Sequence, residues 1–153
     1  MDSHALKAKE LFLQGCNCAQ AVFAAFSDTL GIDEKTAFRM ASGFGGGFGR
    51  MREVCGAVSG MTLAASCLYG YDDLCDAKLK KDNYAMISGM MNSFKEELGS
   101  YICRDILKTS EAYSPTATKR SAEFYKERPC VRCVMTAADI LAQTIAEKNA
   151  EEK

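Results

Sequence analysis

Histidine and proline are scarce in this sequence. The 153 residues include one histidine, His4, whose place near the N-terminus makes it a poor candidate for a metal ligand or general base. Catalysis by a cysteine–histidine pair therefore has little support. The only prolines are Pro115 and Pro129, and the sequence shows no convincing period-2 alternation of β-strands. The sequence predicts an all-α protein.

An excess of charge of one sign is also lacking. Lys and Arg number 19 against 20 Asp and Glu, so the formal net charge is −1. We expect no nucleic-acid partner and no membrane partner, because anionic partners of both kinds select basic surfaces. No apolar run approaches the ~20 residues that span a bilayer. The N-terminal MDSHALKAKELFLQG has no basic flank, apolar core or cleavage site of a signal peptide, which predicts a cytoplasmic location.

Nucleotide and haem motifs are missing as well. The glycine-rich run GFGGGFG at 43–49 is not followed by the Lys-Ser/Thr of a P-loop. It also lacks the G-x-G-x-x-G spacing and the preceding strand of a dinucleotide site. No C-x-x-C-H is present to attach a c-type haem.

What the sequence does contain is apolar residues at helical spacing, such as Val22, Phe23, Phe26 and Leu30 on one face. We predict one all-helical domain over 1–153, a bundle of about six to eight helices with a glycine-rich loop. Its charged end, 146–153, is predicted to be a frayed tail. The predicted helices cover 3–14, 18–30, 34–42, 53–69, 73–98, 102–108, 116–127 and 130–148.

Eight cysteines are many for a chain of this length. Clustered thiols in a reducing compartment usually bind metal or do redox chemistry, so the cysteines are the first candidates for a functional site. Cys18, Cys55, Cys103 and Cys130 each fall at the start of a separate predicted helix. Backbone N–H groups and the helix dipole favour thiolate over thiol at such positions. If these helix starts converge, they form a site for sulfur anions, either redox thiols or metal ligands.

The remaining cysteines carry weaker signals. Cys16 and Cys133 lie close to Cys18 and Cys130 and are predicted to be auxiliary thiols. Cys67 and Cys75 are most simply explained as buried or incidental.

Charged residues adjoin two of the helix-start cysteines. Arg50, Arg52 and Arg104 are near enough in sequence to favour a thiolate at Cys55 or Cys103. For Arg52, exposure to solvent is the preferred interpretation.

Small residues surround Cys55. Gly45, Gly46 and Gly47 of the glycine run, with Gly56 and Ala57 after Cys55, are candidates for binding a cofactor through close backbone approach. Gly60 lies on the same helical face as Gly56, and its preferred interpretation is close packing against another helix.

The segment CGAVSG at 55–60 carries the Cys-Gly-Ala-x-x-Gly signature of a family of redox-active proteins named C_GCAxxG_C_C, which this chain resembles over nearly its whole length. Other segments similar to that family are NCAQAVFAAF at 17–26, CRDIL at 103–107 and CVRCVMTAADIL at 130–141. The resemblance implies that Cys18, Cys55, Cys103 and Cys130 are the functional cysteines. It implies redox activity, as an oxidoreductase or an electron-transfer protein with a redox partner protein.

Several chemistries stay open for four such thiols. They can bind an iron–sulfur cluster, although their spacing differs from the tight C-x-x-C pairs of small ferredoxins. They can undergo thiol–disulfide exchange without metal, or bind a structural zinc ion. A plain helical interaction protein with buried thiols is a further alternative, and the sequence leaves room for a homo-oligomer.

Overall fold

The computed structural model describes residues 2–108 and 115–152 of the chain. Met1, 109–114 and Lys153, which the predicted domain includes, lie outside the described residues. The described part is all-α, as predicted, and within it one isolated bridge joins Val54 to Ile102. The helices are α1 (Ser3–Leu13), α2 (Cys18–Ala25), α3 (Ser27–Leu30), α4 (Glu34–Ala41), α5 (Gly56–Tyr69), α6 (Ala77–Leu98), α7 (Cys103–Leu107), α8 (Ala122–Glu127) and α9 (Cys130–Glu151), with a 3-10 turn at Ser42–Phe44.

The described residues form nine α-helices rather than the predicted six to eight, because the helix predicted over 18–30 divides at Phe26. At Phe26 the backbone leaves the helical conformation, with φ −104° and ψ 12°. The Phe26 N–H donates to the carbonyl of Phe23, one residue short of the α-helical partner. The Phe26 side chain is fully buried, with its ring stacked on His4 at a centroid distance of 4.3 Å.

Other helix boundaries also differ from the predictions. The α6 helix begins at Ala77 rather than 73, because Asp76 accepts hydrogen bonds from the N–H groups of Lys78 and Leu79. The α8 helix begins at Ala122 instead of 116, where Ser121 caps it. The α9 helix continues to Glu151, beyond the predicted helix end at 148, and fraying of the charged end at 146–153 stays a prediction.

The α2 helix lies at the centre of the fold and packs against α1, α4, α5 and α9. Its small residues Ala19, Ala21 and Ala24 are fully buried, and so are Val22 and Phe23. Small side chains on a central helix allow neighbouring backbones to approach closely, while the two larger ones fill the space between them.

No helix in the part of the chain described here is long and apolar enough to cross a bilayer.

Gly60 marks the closest approach of α5 to α2. A Cβ at this position would lie 2.6 Å from the carbonyl oxygen of Ala19 and 3.2 Å from the Cβ of Val22. The interpretation of Gly60 as a helix-packing residue is therefore confirmed.

We expect Gly60→Ala to lower the free energy of unfolding by about 1–3 kcal/mol, because the added methyl overpacks a backbone contact. Gly89→Ala is the matched control, since Gly89 is an exposed glycine of α6 with no atom within 4 Å of an added Cβ. That control should stabilise the protein by roughly 0.5–1 kcal/mol. Urea unfolding measures both changes, and an equal effect of the two substitutions would contradict the packing account.

Candidate thiol site

Five cysteines line a single cavity of about 40 Å³. They are Cys18, Cys55, Cys103, Cys130 and Cys133, and the structure thus brings together the four predicted at helix starts and one predicted auxiliary thiol. The space exceeds the roughly 10–15 Å³ that one water molecule needs. It is far smaller than the ~300–1,000 Å³ pockets of organic ligands, so it suits a compact inorganic group better than a flavin or a nucleotide.

Cys18 is positioned by a capping box at the start of α2. The Asn17 side chain accepts from the N–H of Gln20 at 2.9 Å, and the Gln20 side chain accepts from the N–H of Asn17 at 3.0 Å. These reciprocal bonds fix the first turn of the helix. Cys18, the first helical residue, is thereby held at the cavity.

The antiparallel bridge between Val54 and Ile102 places Cys55 and Cys103 diagonally across it, each one residue after a bridged residue. The N–H of Cys55 donates to the carbonyl of Tyr101 at 2.8 Å, and that of Cys103 donates to the carbonyl of Glu53 at 2.6 Å. The bridge keeps residues 53–55 extended, which explains why α5 begins at Gly56 rather than at the predicted 53. Cys55 is consequently the N-cap residue of α5, just outside the helix.

Cys130 and Cys133 enter from the first turn of α9. Cys130 follows Pro129 as the first helical residue, and the Cys133 N–H donates to the carbonyl of Pro129 at 2.9 Å. Residues three apart share a helical face. Both thiols therefore reach the same cavity.

Gly56 leaves room for Cys18 beside Cys55. A Cβ on Gly56 would lie 3.2 Å from the Cβ of Cys18 and 3.1 Å from the backbone nitrogen of Ala19. Contacts this short are rare for real side chains, so a larger residue here would push α2 away from α5.

The loop after α4 turns Arg52 into the protein. Gly46, Gly47 and Arg52 have positive φ values of 65°, 75° and 61°. Arg52 is 9% exposed, and its Nη1 lies 3.9 Å from the Sγ of Cys103. The preferred interpretation of Arg52 as a solvent-exposed residue is therefore wrong, because a left-handed backbone directs its side chain inward.

Arg104 holds the loop against α7. Its guanidinium donates to both carboxylate oxygens of Glu53, at 3.2 Å and 3.0 Å, and to the carbonyl of Arg52 at 3.2 Å. The ion pair is about half exposed, so its main contribution is to fix the position of the loop.

Cys18 and Cys130 line the cavity together, and each thiol shifts the pKa of the other. Hydrogen-bond donation from Cys18 lowers the pKa of Cys130 to about 7, with further lowering by the charges of Arg128, Arg120 and Arg52. The same hydrogen bond, together with burial, raises the pKa of Cys18 well above its ordinary value. One thiolate and one thiol therefore coexist near neutral pH.

Cys55 and Cys133 form a second pair of the same kind. The hydrogen bond from Cys133 lowers the pKa of Cys55, and the backbone N–H groups of Ala57 and Val58 lower it further. The pKa of Cys133 is raised by that hydrogen bond and by burial. Both side chains are almost fully buried, Cys55 at 5% and Cys133 at 2% exposure.

Cys103 stands apart from the two pairs. Burial raises its pKa, and the hydrogen bond from Arg52 opposes that effect. The expectation that helix N–H groups favour thiolate therefore agrees with the lowered pKa of Cys55, whereas the pKa of Cys130 is lowered by Cys18 and three arginines. The expectation fails for Cys18, whose pKa is raised by its hydrogen bond with Cys130 and by burial, and for Cys103, whose pKa is raised by burial.

The remaining cysteines lie elsewhere. Cys16 is not among the residues lining the cavity, and burial raises its pKa. Cys67 and Cys75 are exposed, so of the two explanations offered for them burial is wrong, and the explanation as incidental thiols remains.

Of the predicted cofactor-binding residues, Gly46, Gly47 and Gly56 line the cavity, and Gly45 lines an adjoining groove. Ala57 contributes the N–H group directed at Cys55. Their role in holding a ligand stays a prediction.

All eight cysteines are free thiols. Within residues 2–108 and 115–152, no three or more Cys, His, Asp or Glu side chains stand where they could hold one metal ion. The cavity thiols instead comprise two pairs whose members shift each other's pKa values, and a fifth thiol beside an arginine.

The fold and the cavity define a small all-α protein whose thiols cluster at helix starts. This chain belongs to the family described as "Putative redox-active protein (C_GCAxxG_C_C)", whose model matches residues 16–144. It is similar to an "Uncharacterized protein" of Archaeoglobus fulgidus, with 28% identity over 147 residues that cover 91% of each chain. No solved structure matches the chain at a significant level. The resemblance to the redox-active family is therefore confirmed.

In the reduced, metal-free protein, alkylation of Cys130 by iodoacetamide should rise with pH and reach half its maximum rate near pH 7. The thiolate is the nucleophile, and the pKa of Cys130 is lowered to about 7. Cys18→Ala removes the donated hydrogen bond and should move this midpoint to higher pH, whereas Cys67→Ala should leave it unchanged. Mass spectrometry of the labelled peptide measures the rates. A midpoint at the ordinary thiol value of about 8.5 in the unmodified sequence would contradict the pairing.

Proposed function

We propose that this protein is an electron-transfer protein that binds an iron–sulfur cluster through Cys18, Cys55, Cys103 and Cys130. The observation that carries the proposal is that these thiols, from four separate helix starts, line one cavity. Four cysteine thiolates are the usual ligand set of such clusters. A bound cluster would supply one-electron transfer to a redox partner protein.

The arrangement of the thiols suits a cluster with two irons. Cys18 and Cys130 each shift the pKa of the other, while Cys55 and Cys103 each follow one residue of the bridge between Val54 and Ile102. In a [2Fe–2S] cluster each iron takes two protein ligands, so ligands that come in pairs fit better than four spread evenly. A single zinc ion would need all four thiolates about one point, which this arrangement supports less well.

Cys133 has a different role in this proposal. Cys133 lies one turn inside α9 and donates a hydrogen bond to Cys55. Hydrogen bonds to ligand sulfurs stabilise added negative charge and thereby adjust the reduction potential. We therefore assign Cys133 as a donor to the ligand Cys55.

Thiol–disulfide exchange is the second candidate, because the pKa of Cys130 is lowered while that of Cys18 is raised. The Cys130 thiolate would attack a disulfide of a partner protein, forming a mixed disulfide and releasing one partner thiol. Cys18 would then give up its proton, displace the second partner thiol and leave a Cys18–Cys130 disulfide. The partner disulfide is reduced by the two electrons that the pair loses.

Iron content after anaerobic purification tests the primary proposal. We expect a brown protein with iron and sulfide in equal amounts and visible charge-transfer absorbance. Cys18→Ala, Cys55→Ala, Cys103→Ala and Cys130→Ala should each lose most of the iron, since each removes a ligand. Cys133→Ala and the exposed-thiol control Cys67→Ala should retain it.

A colourless, iron-free anaerobic protein would overturn the cluster proposal. If that protein also loses two or more free thiols on mild oxidation and regains them on reduction, the disulfide candidate is supported instead. Iron retained by Cys103→Ala but lost by Cys133→Ala would show that Cys133, and not Cys103, is a cluster ligand.

Arg52→Gln should lower the reduction potential of the cluster-loaded protein by roughly 40–80 mV, which corresponds to about 1–2 kcal/mol for one electron. A buried positive charge stabilises the more negative reduced state, and Gln keeps a polar side chain with N–H donors, though a shorter one, while removing that charge. Arg104→Gln is the matched control, because Arg104 is about half exposed and paired with Glu53. Protein-film voltammetry measures both potentials, and equal shifts for the two variants would contradict a specific role of Arg52.

A further inference from the structure

A groove of about 500 Å³ adjoins the thiol cavity and shares Cys18, Gly46, Arg52 and Cys130 with it. Its volume falls within the roughly 300–1,000 Å³ of small-molecule sites. No acidic residue is among the described residues that line it, whereas four arginines are: Arg50, Arg52, Arg120 and Arg128.

Arg120 is held rigidly at this groove. Its guanidinium donates to the carbonyls of Phe12 and Cys16, the latter at 2.5 Å, and stacks over the ring of Phe12 at 4.2 Å. Both acceptors are neutral carbonyl oxygens. These contacts therefore orient the guanidinium without cancelling its positive charge.

Two more arginines are fixed around the same opening. Arg50 donates to the carbonyl of Thr116 at 2.5 Å and to the hydroxyl of Thr118 at 3.0 Å. The guanidinium of Arg128 lies 5.1 Å from the ring centroid of Phe124. The groove thus combines oriented positive charge with the half-buried aromatic ring of Phe124, since the ring of Phe12 is 2% exposed and covered by Arg120.

We propose that this groove binds a small anionic molecule that carries a flat apolar group, placed against the Cys18–Cys130 pair. Guanidinium groups recognise carboxylate and phosphate oxygens through charge-assisted hydrogen bonds. Aromatic rings favour a flat apolar partner through stacked or edge contacts. The site goes beyond the proposed cluster function, because the cluster would occupy the thiol cavity and leave the groove open.

Equilibrium dialysis of the protein as purified, against radiolabelled benzoate, phenyl phosphate and neutral benzamide, tests the proposal. We expect saturable binding of at least one anion, with benzamide bound at least tenfold more weakly. The tighter of the two anions identifies whether the site prefers a carboxylate or a phosphate.

Arg120→Gln should weaken anion binding at least tenfold, because it removes charge from the centre of the groove. Arg39→Gln is the matched control, since Arg39 lies exposed on α4 and is not a groove residue. If Arg120→Gln fails to fold, Arg128→Gln, which keeps the contacts of Arg120 to Phe12 and Cys16, should weaken binding in the same direction.

Binding of benzamide as tight as that of the anions, or unsaturable binding of both anions, would overturn the proposal. Retention of full affinity by a folded groove variant would overturn it as well. The readout does not depend on iron, so a protein without a cluster can still confirm the groove, and a cluster-loaded protein can still refute it.

Discussion

The close approach of α5 to α2 is the constraint on which the rest of the site depends. Glycine at 56 and 60 lets the two backbones come so near that an added Cβ would meet Ala19 at 3.1 Å and 2.6 Å, respectively. The same contact sets Cys18 beside Cys55, and α9 packs on both helices to bring its two thiols to the same place. The packing of α5 on α2 and the assembly of the thiol cavity therefore depend on the same contact. A larger side chain at 56 or 60 would move the two helices apart and with them the sulfurs of Cys18 and Cys55.

Burial and pairing decide the charge state of these thiols more than helix starts do. A buried thiolate is costly unless a donor or a positive charge compensates it. Cys130 receives a proton donor, Cys18, and the influence of three arginines, whereas Cys55 receives Cys133 and two backbone N–H groups. The cavity can therefore carry negative charge near neutral pH, which both metal binding and nucleophilic attack on a disulfide require.

The all-α fold and the identity of four cavity cysteines could be predicted from sequence, because apolar spacing and glycine or cap residues mark helix starts directly. The inward position of Arg52 could not, since it follows from a left-handed loop backbone at a non-glycine residue. The α5 boundary depends on the bridge between Val54 and Ile102, a contact between residues distant in sequence. The role of Cys133 depends on Cys55, which is also distant along the chain, and the raised pKa of Cys18 likewise depends on a partner from α9.

Thiol cross-linking tests the convergence of the cysteines most directly. The reduced, chelator-treated protein is reacted with dibromobimane, which joins two thiols only when they lie close together, and the linked peptides are identified by mass spectrometry. Cross-links of Cys18 with Cys130 and of Cys55 with Cys133 are the predicted result, as expected for thiols that line one cavity and interact in pairs. Single alkylation of these four cysteines without cross-links among them would contradict the existence of a common thiol site.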